Sequence, residues 1–384
     1  MKSGWVTKKL GEVCEIIYGY PFDSKLFNNN QKGKPVIRIR DVVRGFSETF
    51  TTEPCDGKYW ISKDDVLIGM DGDFNISTWK SSTALLNQRV CKLESGEKTS
   101  NLYLRYILPT KLQDIWDKKL FTTVKHLSAK DLNSISISIP PLAEQKRIVA
   151  KIDAAFEKID KLKANAEKNL ANAKELFQSA LDEAMRPKDG WVEKRLGEVC
   201  IGKLSYGTSS PSRVYDTRVR YIRITDIDDN GRLLNDLVSP KEYDAKHVLK
   251  DGDLVFARTG ATVGKSYMYS LSDGVCVYAG YLIRARVDES IIRPKYLFYF
   301  TKTSRYKLFI QQSQAAAAQP NVNAEKYSNM LVPIPPVHEQ DEIMSCIGKI
   351  QELSIQLQQN YTQQIADCVE MRQAVLREAF EGRL

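Results

Sequence analysis

Two stretches and a handful of side chains in this sequence could do chemistry. Gly260-Ala-Thr-Val-Gly-Lys-Ser266 carries the residue types of a loop that cradles phosphates. Such a loop needs four residues between its glycines so that successive amides encircle the phosphates, and this one has three. Nucleotide hydrolysis is therefore set aside. A glycine-loosened basic loop that approaches a nucleic-acid backbone or groove is preferred, with a plain hairpin turn as the alternative. Asp71-Gly-Asp-Phe-Asn75 faintly resembles a calcium loop, but the Asp-x-Asp-x-Asn-Gly ladder and closing Glu are missing. It reads as a tight turn whose acceptor side chains can meet exocyclic amines in a major groove.

No catalytic constellation stands out. Gly-x-Gly-x-x-Gly, Asn/Asp-Pro-Pro-Tyr/Phe and Gly-x-Ser-x-Gly are all missing, and the three histidines, His126, His247 and His338, show no pairing in sequence. Seven cysteines with no Cys-x-x-Cys argue against a zinc site. Cys14 and Cys200 read as small buried apolar residues. The expected compartment is a reducing cytoplasm: the N-terminus has no apolar leader core, and no run approaches a membrane span.

Charge divides the chain. Residues 1–141 carry net +5, 142–185 zero, 186–336 +7 and 337–381 −5, within a total of +8. Basic segments alternating with neutral or acidic ones point to domains that meet a polyanion and connecting elements that meet protein. Polar and basic residues in the loops of the basic segments are the candidate DNA contacts. They are Arg38, Arg40, Asp71, Asp73, Asn75, Thr123 and Lys125 in the first segment. In the second they are Tyr206, Thr208, Arg223, Arg258, Thr259, Lys265, Gln319 and Asn321.

The elements that must position these side chains are written twice. Gly4-Trp-Val-Thr-Lys-Lys-Leu-Gly-Glu-Val-Cys14 returns at 190–200 with nine of eleven residues identical. Ile139-Pro-Pro-Leu-Ala-Glu-Gln-Lys-Arg-Ile148 returns 195 residues later as Ile334-Pro-Pro-Val-His-Glu-Gln-Asp-Glu-Ile343. After each copy, apolar residues recur at spacings of three and four for about forty residues. In the first copy they are Ile148, Ile152, Ala155, Ile159, Leu162, Ala166, Leu170, Ala173, Leu176, Ala180 and Ala184. That is a coiled-coil seam, on helices roughly 65 Å long.

Between these landmarks both halves show short alternating strands and glycine-containing turns. Val36–Arg40 reads as a strand with Arg38 and Arg40 on one face, matched by Val219–Ile227, where Arg223 and Asp226 repeat Arg38 and Asp41. Ala84–Leu93 and Val275–Arg284 read as further strands, and Leu102–Leu120 and Pro294–Gln312 as helices. The fold class expected is α+β: two similar mixed α/β recognition domains joined by two long antiparallel helices forming a coiled-coil spacer, with a pseudo-two-fold internal repeat. The segments are 1–141, 142–186 (helix), 187–336 and 337–384 (helix).

Taken together, these features resemble the specificity subunit of Type I restriction–modification systems over nearly the whole chain. The residues that carry the likeness are the two openings, the twin helix starts, Arg258-Thr-Gly-Ala-Thr-Val-Gly-Lys265, Asn87-Gln-Arg-Val90 and Gln319-Pro-Asn321. The resemblance implies two target recognition domains, each reading half of a split sequence in double-stranded DNA. It implies a helical spacer that docks two methyltransferase subunits. S-adenosylmethionine would be bound by those partners, and ATP and magnesium by a further motor–nuclease subunit. This chain would then hold no cofactor and no catalytic site. One departure is Ser354 in the second helix where the first has Ile159, so the two docking faces are expected to differ. A self-sufficient DNA-modifying or cleaving enzyme, and a structural coiled-coil linker with basic ends, are the competing readings.

Overall fold

The computed structural model describes residues 4–118, 125–314 and 321–384. The chain forms two compact units, Met1–Asn165 with Gln364–Leu384, and Ala166–Gln363. Each long helix is shared between the two units. No helix among the described residues is long and apolar enough to cross a membrane.

The first unit has two four-stranded sheets. One is antiparallel, in the order Cys14–Tyr18, Val90–Ser95, Val66–Gly69, Ile76–Thr78. The other runs Phe50–Thr51, Lys34–Ile37, Ala84–Leu86, Trp60–Ile61, with Lys34–Ile37 and Ala84–Leu86 parallel. Val66–Gly69 is buried along its whole length. Because strand side chains alternate faces, Val66 and Ile68 join one core, with Leu104, Ile148 and Ile152, while Leu67 joins another, with Ile37, Trp79 and Leu86. The second unit repeats the antiparallel sheet, and keeps the parallel pair as a two-stranded sheet of Arg220–Ile222 and Cys276–Tyr278. Its antiparallel sheet runs Ser205–Tyr206, Leu282–Ala285, Leu254–Ala257, Ser266–Met268. Leu254 and Phe256 face one core, Val255 and Ala257 the other.

Three local expectations are corrected. The strand ends at Ile37, and the helix Ile39–Arg44 begins because Asp41 folds back to accept from the Arg38 N–H at 2.9 Å. Arg38 and Arg40 therefore stand exposed at a helix start, not along one strand face. Asp226 does the same for Arg223, at 2.8 Å. Ala84–Leu93 is two strands in two sheets, joined by a turn in which Arg89 adopts φ 71°; Cys276–Tyr278 and Leu282–Ala285 repeat the division. The helix expected over Pro294–Gln312 breaks between Phe300 and Ser304.

The long helices run Leu142–Ala184 and Val337–Phe380, each following a Pro-Pro pair. Within the first unit Arg147 reaches the Leu384 carbonyl at 2.8 Å and Arg372 pairs with Asp160, so numbers rise along one helix as they fall along the other. Of the expected seam, Ile152, Ile159, Ala166 and Ala173 are buried, one per heptad. Leu162 and Leu176 are not: they are 55% and 63% exposed. Phe156 and Leu181 are buried in addition. A single partner helix covers one row of a heptad well and leaves part of the second row outside. Ser354 is buried against the other helix, its hydroxyl donating to the Ala173 carbonyl at 3.2 Å.

Each helix start is fastened to its domain by one buried amide. Gln145 is fully buried; its Oε1 accepts from the Ser100 N–H, and its Nε2 donates to the Lys98 and Pro140 carbonyls, all at 2.9 Å. Gln340 makes the same three bonds, with the Arg293 N–H at 2.8 Å and the Ile291 and Pro335 carbonyls at 2.9 Å. Tyr103 and Tyr296 add matched bonds to the Ser138 and Pro333 carbonyls, at 2.7 and 2.9 Å.

Removing either amide strands buried backbone groups, each costing about 1–3 kcal/mol. Gln145→Ala should therefore destabilise the first unit by about 3 kcal/mol and Gln340→Ala the second, read by urea unfolding. All seven cysteines are free. Burial pushes the thiols of Cys14, Cys91, Cys200 and Cys276 up to about 12, while Cys346 is exposed. In the native protein at pH 8, iodoacetamide should label Cys346 well before those four, as peptide mapping would record.

Candidate nucleic-acid interface

In the second unit, candidate residues far apart in sequence converge at one end of the antiparallel sheet. Tyr206 lies on its first strand, and Arg258 follows the buried strand Leu254–Ala257. The Arg258 guanidinium lies 4.9 Å from the Tyr206 ring centroid and 5.7 Å from that of Tyr281. Its Nε is buried with no hydrogen-bond partner among the described residues. Backbone bonds fix the place: Arg258 N–H donates to the Tyr281 carbonyl at 3.1 Å, and Val322 N–H to the Arg258 carbonyl at 2.9 Å. Thr259 bridges to Asn321, and Thr208 to Ala279. The Tyr206 hydroxyl accepts from the Ala324 N–H at 3.0 Å. Tyr206 and Tyr281 are exposed, so the cluster faces solvent. A guanidinium held between two aromatic faces gains about 0.5–2 kcal/mol and keeps its planar fork ordered for a base edge or phosphate.

The first unit holds the same backbone positions with different side chains. Met70 N–H donates to the Arg89 carbonyl and Leu127 N–H to the Met70 carbonyl, at 2.8 and 2.7 Å. Asp71 bridges to His126, and Tyr20 to Asn87. Arg89 thus takes the place of Tyr281, Asp71 that of Thr259 and His126 that of Asn321. His126 Nδ1 lies 2.6 Å from Asp71 Oδ1 and 3.2 Å from Arg89 Nη1. One ring nitrogen cannot donate and accept at once, so the shorter, charge-assisted contact decides: Nδ1–H donates to Asp71. Arg89 Nε stands 3.6 Å from Asp71 Oδ2. Acceptor, ring and guanidinium form one polar group where the second unit has an arginine between tyrosines.

A glycine makes the edge possible in each unit. A Cβ on Gly19 would stand 2.0 Å from the Asn87 carbonyl oxygen, and one on Gly207 2.1 Å from that of Tyr278. Neither backbone can yield, so the strand carrying Tyr18 and Tyr20, or Tyr206 and Thr208, needs glycine between them.

Other candidates stand apart from these clusters. Arg223 already holds Asp226 at 2.7 Å and Asp236 at 2.6 Å. Lys265 pairs with Asp229 at 2.9 Å. Lys125 donates to the Trp116 carbonyl at 2.8 Å and sits over the Trp116 ring. Asp73 is exposed and Asn75 half-buried in the turn after Val66–Gly69. Thr123 and Gln319 lie outside the described residues. Sequence reading missed Arg89, His126 and Tyr281; the signal for Arg89 was the Asn87-Gln-Arg-Val90 motif itself.

If Tyr206 and Tyr281 order the guanidinium, Tyr281→Ala should weaken duplex binding about 3- to 10-fold and Tyr281→Phe should not, measured by fluorescence anisotropy at fixed salt.

The Type I restriction modification DNA specificity domain matches residues 2–171 and again 188–367. The Type I restriction enzyme EcoBI specificity subunit of Escherichia coli is 30% identical, over all of this chain and 86% of that protein. A chain from a structure described as showing complex assembly and conformational transition of the type I R-M system superposes with a TM-score of 0.81, at 21% identity, over 100% of this chain and 99% of that one. The crystal structure of the HsdS subunit from Thermoanaerobacter tengcongensis gives 0.64, at 20% identity, over 100% and 98%. Those two likenesses bear on the fold. With the domain match repeated across both halves, the chain belongs to the Type I restriction–modification DNA specificity family.

Proposed function

We propose that each domain reads one half of a bipartite target in double-stranded DNA, through the residues at the end of its antiparallel sheet. The observation that carries this reading is the pair of equivalent edges. Backbone bonds are repeated position by position, while the side chains they present differ. A repeated scaffold with exchanged polar groups is what two different half-sites require. In the second domain Arg258, Thr259, Tyr206, Thr208, Asn321 and Gln319 are the proposed contacts. In the first they are Asp71, His126 and Arg89, and Asp73, Asn75, Thr123, Lys125, Arg38 and Arg40 are proposed as further contacts. Arg223 is a weaker contact, since two carboxylates already neutralise it.

The helix pair sets the distance between half-sites and docks two methyltransferase subunits. Exposed Leu162 and Leu176, on helices whose charge is zero or negative, support protein rather than DNA there. S-adenosylmethionine, ATP and magnesium act on the methyltransferase and motor–nuclease partners, in the cytoplasm, and this chain supplies recognition without catalysis. The family match is to specificity domains, so neither a self-sufficient enzyme nor a plain linker receives support.

The test is selection of methylated sequences from random duplexes by the chain co-purified with its methyltransferase. Arg258→Ala should relax one half-site, at about 1–3 kcal/mol for a lost bidentate contact, and Asp71→Asn the other. A change of preference in both halves by either variant would refute the division of labour. Inserting one heptad in both helices should move the preferred gap; an unchanged gap would remove the helices as the ruler.

A further inference from the structure

The lysine of the Gly260–Ser266 loop leads to a second site. Lys265 lines an open cleft of about 810 Å³ together with Lys174, Lys302 and Lys307. Phe177 and Phe298 are among the walls, and Asp229 is the one carboxylate in the lining. Lys265 pairs with it at 2.9 Å. Lys302 Nζ instead rests on two carbonyls, those of Ser266 at 3.3 Å and Asp229 at 3.5 Å. Lys307 Nζ donates to Gln178 Oε1 at 2.6 Å. Burial pushes the Lys302 ammonium down to about 8, with Asp228 and Asp229 opposing that shift. Four cations and one anion therefore share a space the size of a small-molecule site, and its lining keeps an excess of positive charge.

The repeat does not carry these lysines at the matching positions of the first unit. By the strand register, the place of Lys265 is taken in the first unit by Asn75. By the matched tyrosines, Pro109 stands for Lys302. By the 195-residue offset, Val369 stands for Lys174. The equivalent cleft in the first unit is lined by Tyr106, Pro109, Phe156 and Val369 at those places, and its own cations, Arg105, Lys163 and Arg372, stand at other positions with Asp160 among them. The four-lysine arrangement therefore belongs to the second unit.

We propose that this cleft of the second unit binds a phosphate-bearing anion, with Lys302 and Lys307 as its principal donors. Lys174 and Lys265 supply the surrounding field, and the glycine-loosened loop forms one wall. The phosphates come either from a free polyphosphate or from the backbone of DNA passing beside the domain. The DNA source rests on the recognition reading above; the free source does not.

The experiment uses the full chain. Inorganic tripolyphosphate is titrated by calorimetry, and a random-sequence duplex by anisotropy over a salt series, for wild type, K302M/K307M and K174A. Unfolding midpoints show whether each variant is folded; K174A changes an exposed side chain and serves if the double variant is not. Saturable tripolyphosphate binding that falls about tenfold or more in the double variant, with duplex binding unchanged, supports the site with a free polyphosphate as source. A fall in the salt slope by about 2, for two lost phosphate contacts, supports it with DNA as source. Variants indistinguishable from wild type in both titrations overturn the proposal. If wild type shows no sequence preference among duplexes, the recognition reading fails and the tripolyphosphate arm still decides this one.

Discussion

A buried carboxamide holds each half of this protein together. Gln145 and Gln340 each satisfy one N–H and two carbonyls at the point where a strand, a Pro-Pro step and a long helix meet. No other side chain of that length offers donor and acceptor without charge. A carboxylate there would leave two carbonyls facing like charge, and a leucine would leave three backbone groups unpaired. Arg147 and Glu144 beside it form an exposed ion pair, worth at most about 1 kcal/mol. The neutral, buried group does more than the charged, visible one.

From that anchor the geometry of each domain follows. The helix start packs Ile148 and Ile152, or Ile343 and Ile347, onto one face of the antiparallel sheet. A second core covers the other face, so the central strand cannot slip by one residue without exchanging its two buried sets. Its end is therefore fixed, and the first residue beyond it, Met70 or Arg258, begins the candidate edge. The two edges differ in electrostatics as well as shape. One presents an acid, an imidazole and a guanidinium in mutual contact; the other isolates a guanidinium between aromatic rings. The lysine cleft adds a third environment, found in one unit only.

The duplication, the helix limits and the α+β class were legible in the sequence because proline pairs, glycines and heptads act locally. The seam was half legible: spacing alone selects Leu162 and Leu176 as readily as Ile159 and Ala173, and only the partner helix decides which row it covers. The candidate edge was legible where chemistry and a turn coincide, as in the choice of Arg258, Thr259 and Asp71. It was not legible where it depends on pairing across 55 residues, as for Asp71 with His126. Arg223 and Lys265 looked like free cations because Asp236 and Asp229, their neutralising partners, sit in loops whose course the pattern does not specify. The twin glutamines were visible as a motif, but nothing in sequence says that they are buried.

The bonds that place both candidate edges run from backbone to backbone. Met70 to Arg89, Arg258 to Tyr281 and Val322 to Arg258 use only N–H and carbonyl groups. Arg258 and Arg89 can thus change side chain without losing those bonds, whereas Met70 is held by the core as well. The glycines at positions 19 and 207 have no such liberty. Mutational drift in this protein should therefore be steep at the edge and arrested one residue away from it.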